Sequence, residues 1–289
     1  MNVENKRIEE LEKKLEEKEV ELRKLYSIVE SLNSCLGGII KDTEAGIRAA
    51  TSLYRKLASK KLPKVKGLTF ASKYMISKEA LNSYFDLFQL PQEKGAGIIV
   101  CDAKGYGVSA VVMSIASSLA EGKESLCCES FFESLDKEIK NCTSFPKGTD
   151  SASAVSLMYI LIDKTSLQMD LCSVGMPGLL VARGEELICL GDGGASLADP
   201  KRTSFRLNPG DRIVIPNNGL ILSENQDGTK FGLDGVKKSL INAQHLPISD
   251  IISNVAFELG LFTDGKRSRL KGDVTVLGIE LERKLFYVV

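Results

Sequence analysis

The chain has 289 residues, long enough for one large domain and an appendage, and 43% of them are apolar, enough for a real core. Its 38 basic residues balance 38 acidic ones, which argues against a general nucleic-acid binder; a single histidine, His245, and no Cys-x-x-Cys pair argue against a zinc site or a histidine-based catalytic triad. Seven cysteines, an odd number, with no apolar leader and no apolar run of membrane-spanning length, lead to the expectation of a cytoplasmic protein with reduced thiols and no membrane segment.

From the N-terminus, Ile8, Leu11, Leu15, Lys18, Leu22, Leu25, Val29, Leu32, Leu36 and Ile39 recur at alternating spacings of three and four. Only Lys18 breaks this stripe, and its length predicts a coiled coil. With Ile8 at position a, Arg7 and Lys14 fall at g and Glu12 and Glu19 at e, so Arg7 would face Glu12, and Lys14 would face Glu19, of a parallel partner. The plainer alternative is a long solvated helix packed on its own domain. Gly37-Gly38 is expected to interrupt the helix, each glycine costing about 1 kcal/mol relative to alanine. A helical pattern resumes through Leu57, and Lys60-Lys61-Leu62-Pro63 ends it. The expected division is a helical region over residues 1–60 and a globular domain over 61–289.

Within the globular part, strands are expected over Leu68–Ile76, Tyr84–Leu90 and Gly97–Cys101, the last leading to Asp102 at a strand end. Gly105 and Gly107 permit a tight turn, and Val108–Ala120 reads as a helix. Ser130–Ile139 is a second helix, with Phe131, Phe132, Leu135 and Ile139 on one face. Strands Ala154–Ile162 and Leu167–Val174 form a hairpin, and Leu179–Ala182 with Leu187–Leu190 forms another. Residues Ala154 to Leu161 are apolar on both alternating faces, which predicts a central strand covered on both sides. A strand over Arg212–Ile215 follows the Leu207–Asp211 turn. Phe231–Ile241 and Ser249–Leu259 read as helices, and Asp273–Leu281 as a last strand. Hairpins with helices on outer faces predict an α+β layered sandwich.

The glycine turn admits two readings. Gly105-Tyr-Gly107-Val-Ser-Ala110 matches Gly-x-Gly-x-x-Ala after a strand, a dinucleotide-binding signal, but a Rossmann unit needs a second parallel strand ending in an acidic residue, and a further helix follows instead. A carboxylate at a strand end also serves simply to cap a turn. The second reading takes Leu81–Asp86, Cys101–Gly107, Ser173–Met176, Asn208–Asp211 with Pro216–Gly219, and Gly272–Thr275 together. In that order and spacing these segments resemble the motifs of the PPM-type serine/threonine phosphatases of the bacterial SpoIIE/RsbU branch. The resemblance implies an αββα sandwich of two antiparallel sheets flanked by helices, with an N-terminal coiled-coil helix. It also implies two Mn²⁺ or Mg²⁺ ions that activate water against a phosphoserine or phosphothreonine, held by four aspartates at strand ends.

This chain departs from that pattern where the metals sit. The four positions are Asn82, Asp102 with the Ala103 carbonyl beside it, Asn218, and Gly272 followed by Asp273. One carboxylate of four remains, and it cannot offset two dications. A shifted register using Asp86 and Asp273 is the alternative, disfavoured because a one-residue slip turns a strand side chain to the other face. The expectation is therefore a pseudophosphatase with no functional catalytic residue and no cofactor, acting through protein contacts. By resemblance its partners would be STAS-domain antagonists or anti-sigma kinases of partner-switching systems, and it would form a homodimer through the coiled coil, with no nucleic-acid or membrane partner. The rival is an active Mn²⁺- or Mg²⁺-dependent phosphatase acting on a STAS-domain antagonist.

Overall fold

The structure, a computed structural model, describes residues 3–58, 62–77, 81–104, 127–141, 155–191, 193–194 and 196–283. The Gly105–Ala110 motif and the helix expected over Val108–Ala120 lie outside the described residues. The chain forms two compact units, residues 1–57 and residues 58–289.

The first unit is a single helix, α1 (Val3–Ala58). It runs through Gly37-Gly38 without interruption, contrary to the break expected there. Two adjacent glycines cost a helix about 2 kcal/mol in total, a penalty that a long run of good helix formers on both sides absorbs. Leu11, Leu15, Leu22, Leu25, Val29, Leu32 and Leu36 of the stripe are all more than half exposed. Lys18, the residue that breaks the stripe, pairs with Glu21 one turn on.

The second unit is built on ten strands in two antiparallel sheets. They are β1 (Leu68–Met75), β2 (Leu81–Gln89), β3 (Gly95–Lys104), β4 (Val155–Asp163), β5 (Gln168–Val174), β6 (Leu179–Arg183), β7 (Glu186–Leu190), β8 (Lys201–Arg206), β9 (Arg212–Pro216) and β10 (Val274–Leu281). One sheet has the order β1-β10-β9-β6-β7 and the other β2-β3-β4-β5-β8. The described helices of this unit are α2 (Cys128–Asn141), the short α3 (Asn218–Ile221), α4 (Gly232–Ala243) and α5 (Ile248–Phe262).

Period-2 alternation places the layers. Ile98, Val100, Met158, Ile160, Leu171, Ile213, Ile215, Leu277 and Ile279 point into the space between the sheets and form one buried cluster. The alternate residues face outward. Tyr159 stacks on Phe131 of α2 with ring centroids 4.4 Å apart, while Val214, Val274 and Val276 pack under Val236, Leu240, Ile251, Ile252 and Val255 of α4 and α5. Gly278 lets α5 lie close: a Cβ there would stand 2.6 Å from an Ile252 carbon. The molecule is thus the expected sandwich, with helices outside each sheet.

Two elements were not expected. β8 is an edge strand whose charged residues are exposed and whose Thr203 and Phe205 are half-buried. Short α3 follows β9 directly. β2 begins three residues ahead of its expected start, and β3 continues past Asp102 to Lys104. β4 lies between β3 and β5 at the centre of its sheet and is covered on both faces, as its apolar alternation predicts. In hydrogen exchange, the amides of Leu157–Ile160 are expected among the slowest in the protein, exchanging only by global opening; protection lower than that of the β8 amides would contradict this layering.

Candidate functional site

At one end of the space between the sheets the apolar alternation gives way to polar residues. Along β3, Ile98 and Val100 are followed inward by Asp102. β9's inward Ile213 and Ile215 lead to Asn217, the inward Ile279 and Leu277 of β10 are preceded by Thr275, and β2's inward Phe85 is preceded by Ser83. Asp102, Asn217, Thr275 and Ser83 are all buried, with Asn217 and Thr275 fully so.

Asn217 organises this end. Its amide nitrogen donates to Asp102 Oδ1 at 2.9 Å and to the Asp273 carbonyl at 2.7 Å. Its amide oxygen accepts from the Leu220 and Thr275 N–H groups, each at 3.0 Å. Both faces of the amide are therefore engaged, and only this orientation satisfies all four partners. By accepting from Leu220, Asn217 also caps α3. The first N–H of α3, that of Asn218, donates to Asp102 Oδ2 at 2.7 Å. Gly219 permits this approach: a Cβ there would lie 2.1 Å from the Asp273 carbonyl oxygen. Ser83 Oγ and Thr275 Oγ1, from opposite sheets, share a hydrogen bond of 2.8 Å.

Burial pushes the Asp102 carboxyl up to about 6, and the Asp273 charge adds to that. Hydrogen bonds from Asn217, Asn218 and Ser83 act in the opposite direction. Burial outweighs these donors, although each carboxylate oxygen accepts from an N–H.

The sequence-derived positions fall as follows. Asp102 and Asn218 meet directly through the Asn218 backbone. The Asn218 side chain turns away, its amide donating to the Gly175 carbonyl at 2.9 Å and lying 4.0 Å from the Met176 sulfur. Gly272 and Asp273 adjoin the group through the Asp273 carbonyl, but the Asp273 carboxylate accepts from the Tyr74 hydroxyl and from the Ser77 N–H at 2.9 Å. In the β2–β3 register Asn82 pairs with Ala103, and Ser83 pairs with Asp102. Ala103 is buried between β2 and β4. The shifted-register alternative fails at Asp86. Three residues from Ser83, it lies on the outward face, where it accepts from the Tyr84 hydroxyl at 3.1 Å and the Leu87 N–H at 2.9 Å. Asp211 of the Asn208–Asp211 turn serves the opposite end of β9. Arg183 grips it from two nitrogens, at 3.0 and 2.7 Å, and it belongs to the framework.

Asn217, the centre of the arrangement, was not among the sequence-derived positions. The signal that finds it is alternation: Ile213 and Ile215 inward require position 217 to point inward as well. Two divalent ions need several converging anionic oxygens. Among the described residues this end offers Asp102, with donors on both oxygens, and Asp273, whose carboxylate is turned to β1, so the arrangement does not fit a metal pair. No cluster of three or more His, Cys, Asp or Glu suited to a metal occurs among the described residues.

A sequence profile of Stage II sporulation protein E (SpoIIE) matches residues 92–282. No curated protein sequence matches the chain. Among solved structures, the SiaA-PP2C domain of Pseudomonas aeruginosa is similar at a TM-score of 0.65 and 15% identity, over 84% of this chain and 98% of that one. The RsbU and RsbW domains of Rv1364c from Mycobacterium tuberculosis give 0.59 and 22%, over 77% of this chain and 62% of that one. The PP2C phosphatase domain of SpoIIE from Bacillus subtilis, with a fragment of its regulatory domain, gives 0.58 and 12%, over 74% and 64%. At these identities the likeness is one of fold.

Replacing Asn217 by Ala removes four hydrogen bonds and leaves a buried carboxylate without one of its donors. The expected loss is about 3 kcal/mol in denaturant unfolding, whereas Asn218→Ala, at a half-exposed side chain with one such bond, should cost about 1 kcal/mol or less. Equal losses for the two would show that the Asn217 amide does not hold this end together.

Proposed function

Because the chain belongs to the SpoIIE family, we propose that it is a PPM-fold regulatory protein that binds a protein partner without dephosphorylating it, a pseudophosphatase. The observation that carries this reading is the Asn217 amide. It places N–H donors against Asp102 and the Asp273 carbonyl, at the end of the sheets where the family's resemblance puts metal-binding aspartates. Donors there repel a cation, and they occupy both oxygens of Asp102. Family members normally use Mn²⁺ or Mg²⁺, and this chain keeps one inward carboxylate at the corresponding end.

The partner class follows from the resemblance: a STAS-domain antagonist or an anti-sigma kinase of a partner-switching system, in the cytoplasm, with no nucleic acid or membrane involved. A fold neighbour that carries an RsbU and an RsbW domain supports this class. Among the described residues no helix is long and apolar enough to cross a membrane. The chain acts as a homodimer through α1. The exposed leucine stripe, with Arg7–Glu12 and Lys14–Glu19 as cross-pairs, matches a second copy of itself.

Two measurements test this. Isothermal titration with Mn²⁺ should show weak binding by the native chain, and a phosphoserine peptide should not be hydrolysed. Tight two-site binding with turnover would establish the active-phosphatase alternative instead. Restoring acids alone, as Asn82→Asp, Asn218→Asp and Gly272→Asp, should recover little affinity. The Asn217 amide still faces Asp102, and Gly272 sits at φ 135°, a backbone state that residues with a Cβ rarely adopt. Adding Asn217→Thr, which restores the family's Thr-Asp-Gly, should raise Mn²⁺ affinity at least tenfold over that triple variant.

Light scattering tests the dimer. The full chain at micromolar concentration should have twice the monomer mass, and Leu25→Asp with Leu32→Asp should return it to monomer. A native monomer would remove α1 as a dimerisation element.

A further inference from the structure

On the outward face of the sheet centred on β4, two sulfurs meet at the first turn of α2. Met169 and Leu171 of β5 point into the space between the sheets, so Asp170 and Cys172 point outward. The register sets Cys172 opposite Tyr159 of β4 on one side and Arg202 of β8 on the other. Cys128 opens α2, and its sulfur lies 4.0 Å from the Tyr159 carbonyl and 3.8 Å from the Asp170 carbonyl. That position brings it to Cys172, and the Cys128 thiol donates a hydrogen bond to the Cys172 sulfur. Both residues are buried, and both thiols are free.

The two sulfurs have different surroundings. The hydrogen bond from Cys128 holds the Cys172 thiol below the ordinary thiol range; burial, Glu129 and Asp170 oppose this, and the Arg202 guanidinium supports it. The same hydrogen bond, together with burial, pushes the Cys128 thiol up. A thiolate beside a cation is the form that attacks an oxidant, and a protonated thiol in contact with it is the group that resolves the product. Arg202 also pairs with Glu129, the second residue of α2, and the two side chains are 56% and 40% exposed. β8 is an edge strand, and local opening of an edge admits a reagent little larger than water.

We propose that Cys128 and Cys172 are a peroxide-sensitive dithiol that closes to a disulfide and ties the first turn of α2 to β5. In the first step the Cys172 thiolate attacks one oxygen of hydrogen peroxide. A sulfur–oxygen bond forms, the oxygen–oxygen bond breaks, and the departing hydroxide takes the proton that Cys172 has given up and leaves as water. Cys172 is then a sulfenic acid. In the second step Cys128 loses its proton and its sulfur attacks the Cys172 sulfur. The sulfur–oxygen bond breaks, and the leaving hydroxyl takes that proton as a second water. Two thiols are oxidised by two electrons in all, and one peroxide is reduced to two waters. The link closes a long loop of chain, which restricts the unfolded state and stabilises the folded one.

The test treats the full native chain with a few equivalents of hydrogen peroxide, blocks the remaining thiols with N-ethylmaleimide, and maps the non-reduced digest by mass spectrometry. The expected main product is a Cys128–Cys172 cross-linked peptide that dithiothreitol reverses. The oxidised chain should unfold about 5 °C or more above the reduced chain. Dimedone, which labels sulfenic acids, should mark Cys172 in Cys128→Ser and should not mark Cys128 in Cys172→Ser. Cys128→Ala and Cys172→Ala repeat this comparison where serine is tolerated poorly at a buried position, and the map of the native chain needs no variant. The proposal is overturned if the native chain yields no Cys128–Cys172 link, or if exposed Cys127 or Cys142 takes the place of either residue in the main product. A link that leaves thermal unfolding unchanged would overturn its role as a tie, and dimedone on Cys128 rather than Cys172 would overturn the order of the steps.

Discussion

A single buried amide joins the two sheets where their apolar contact ends. Asp102 belongs to the sheet centred on β4, and Asn217 leaves the other sheet at the end of β9. Burying a carboxylate costs several kcal/mol unless it is fully hydrogen-bonded. The conformation of residues 216–220 follows from that demand. Asn217 must point inward to reach Asp102, α3 must begin at Asn218 so that a backbone N–H reaches the second oxygen, and position 219 must be glycine so that α3 can lie against Asp273. The Ser83–Thr275 bond crosses between the sheets at the same end. Joining the sheets at this end falls to such contacts. Here hydrogen-bond donors of the chain perform it, and it requires no ligand.

The opposite end of β9 is fixed by a different device. Asp211 is almost wholly buried and takes two nitrogens of Arg183, whose remaining reach is to the Arg206 carbonyl, and the guanidinium lies over the Phe205 ring. The Asp211 backbone carbonyl accepts from Leu281, and Gly210 donates back to Leu281. β9 is thus pinned at both ends by buried polar contacts and between them by β6 and β10. Such a frame leaves little freedom for the Asn217 end to rearrange, so a change of side chain there is expected to act on stability directly.

The layers were legible in the sequence because they depend on alternation. β4's double apolar face, the two hairpins and the aromatic face of α2 all emerged from residue spacing. β8 did not, because Lys-Arg-Thr-Ser-Phe-Arg is an edge strand with its charges in solvent and only Thr203 and Phe205 turned inward. The helix break at Gly37-Gly38 was a local propensity that the flanking turns overrode. At the site, the Cys101–Asp102, Ser173–Met176, Pro216–Gly219 and Gly272–Thr275 stretches meet at one end of the sandwich while Asn208–Asp211 lies at the other end of β9, and attention to acidic positions led to Asn218 rather than Asn217. The resemblance points to acidic positions, and only the register shows which side chains face inward. Likewise Ser83, and not Asn82, is the β2 residue paired with Asp102.

Hydrogen-bond donors around Asp102 constrain this end of the sandwich differently from a metal. A metal site must stay open to solvent and substrate, so its acids remain partly unsatisfied and the surrounding loops bear the cost in stability. With an N–H on each Asp102 oxygen, removing the carboxylate would leave the Asn217 amide and the Asn218 N–H buried without that partner.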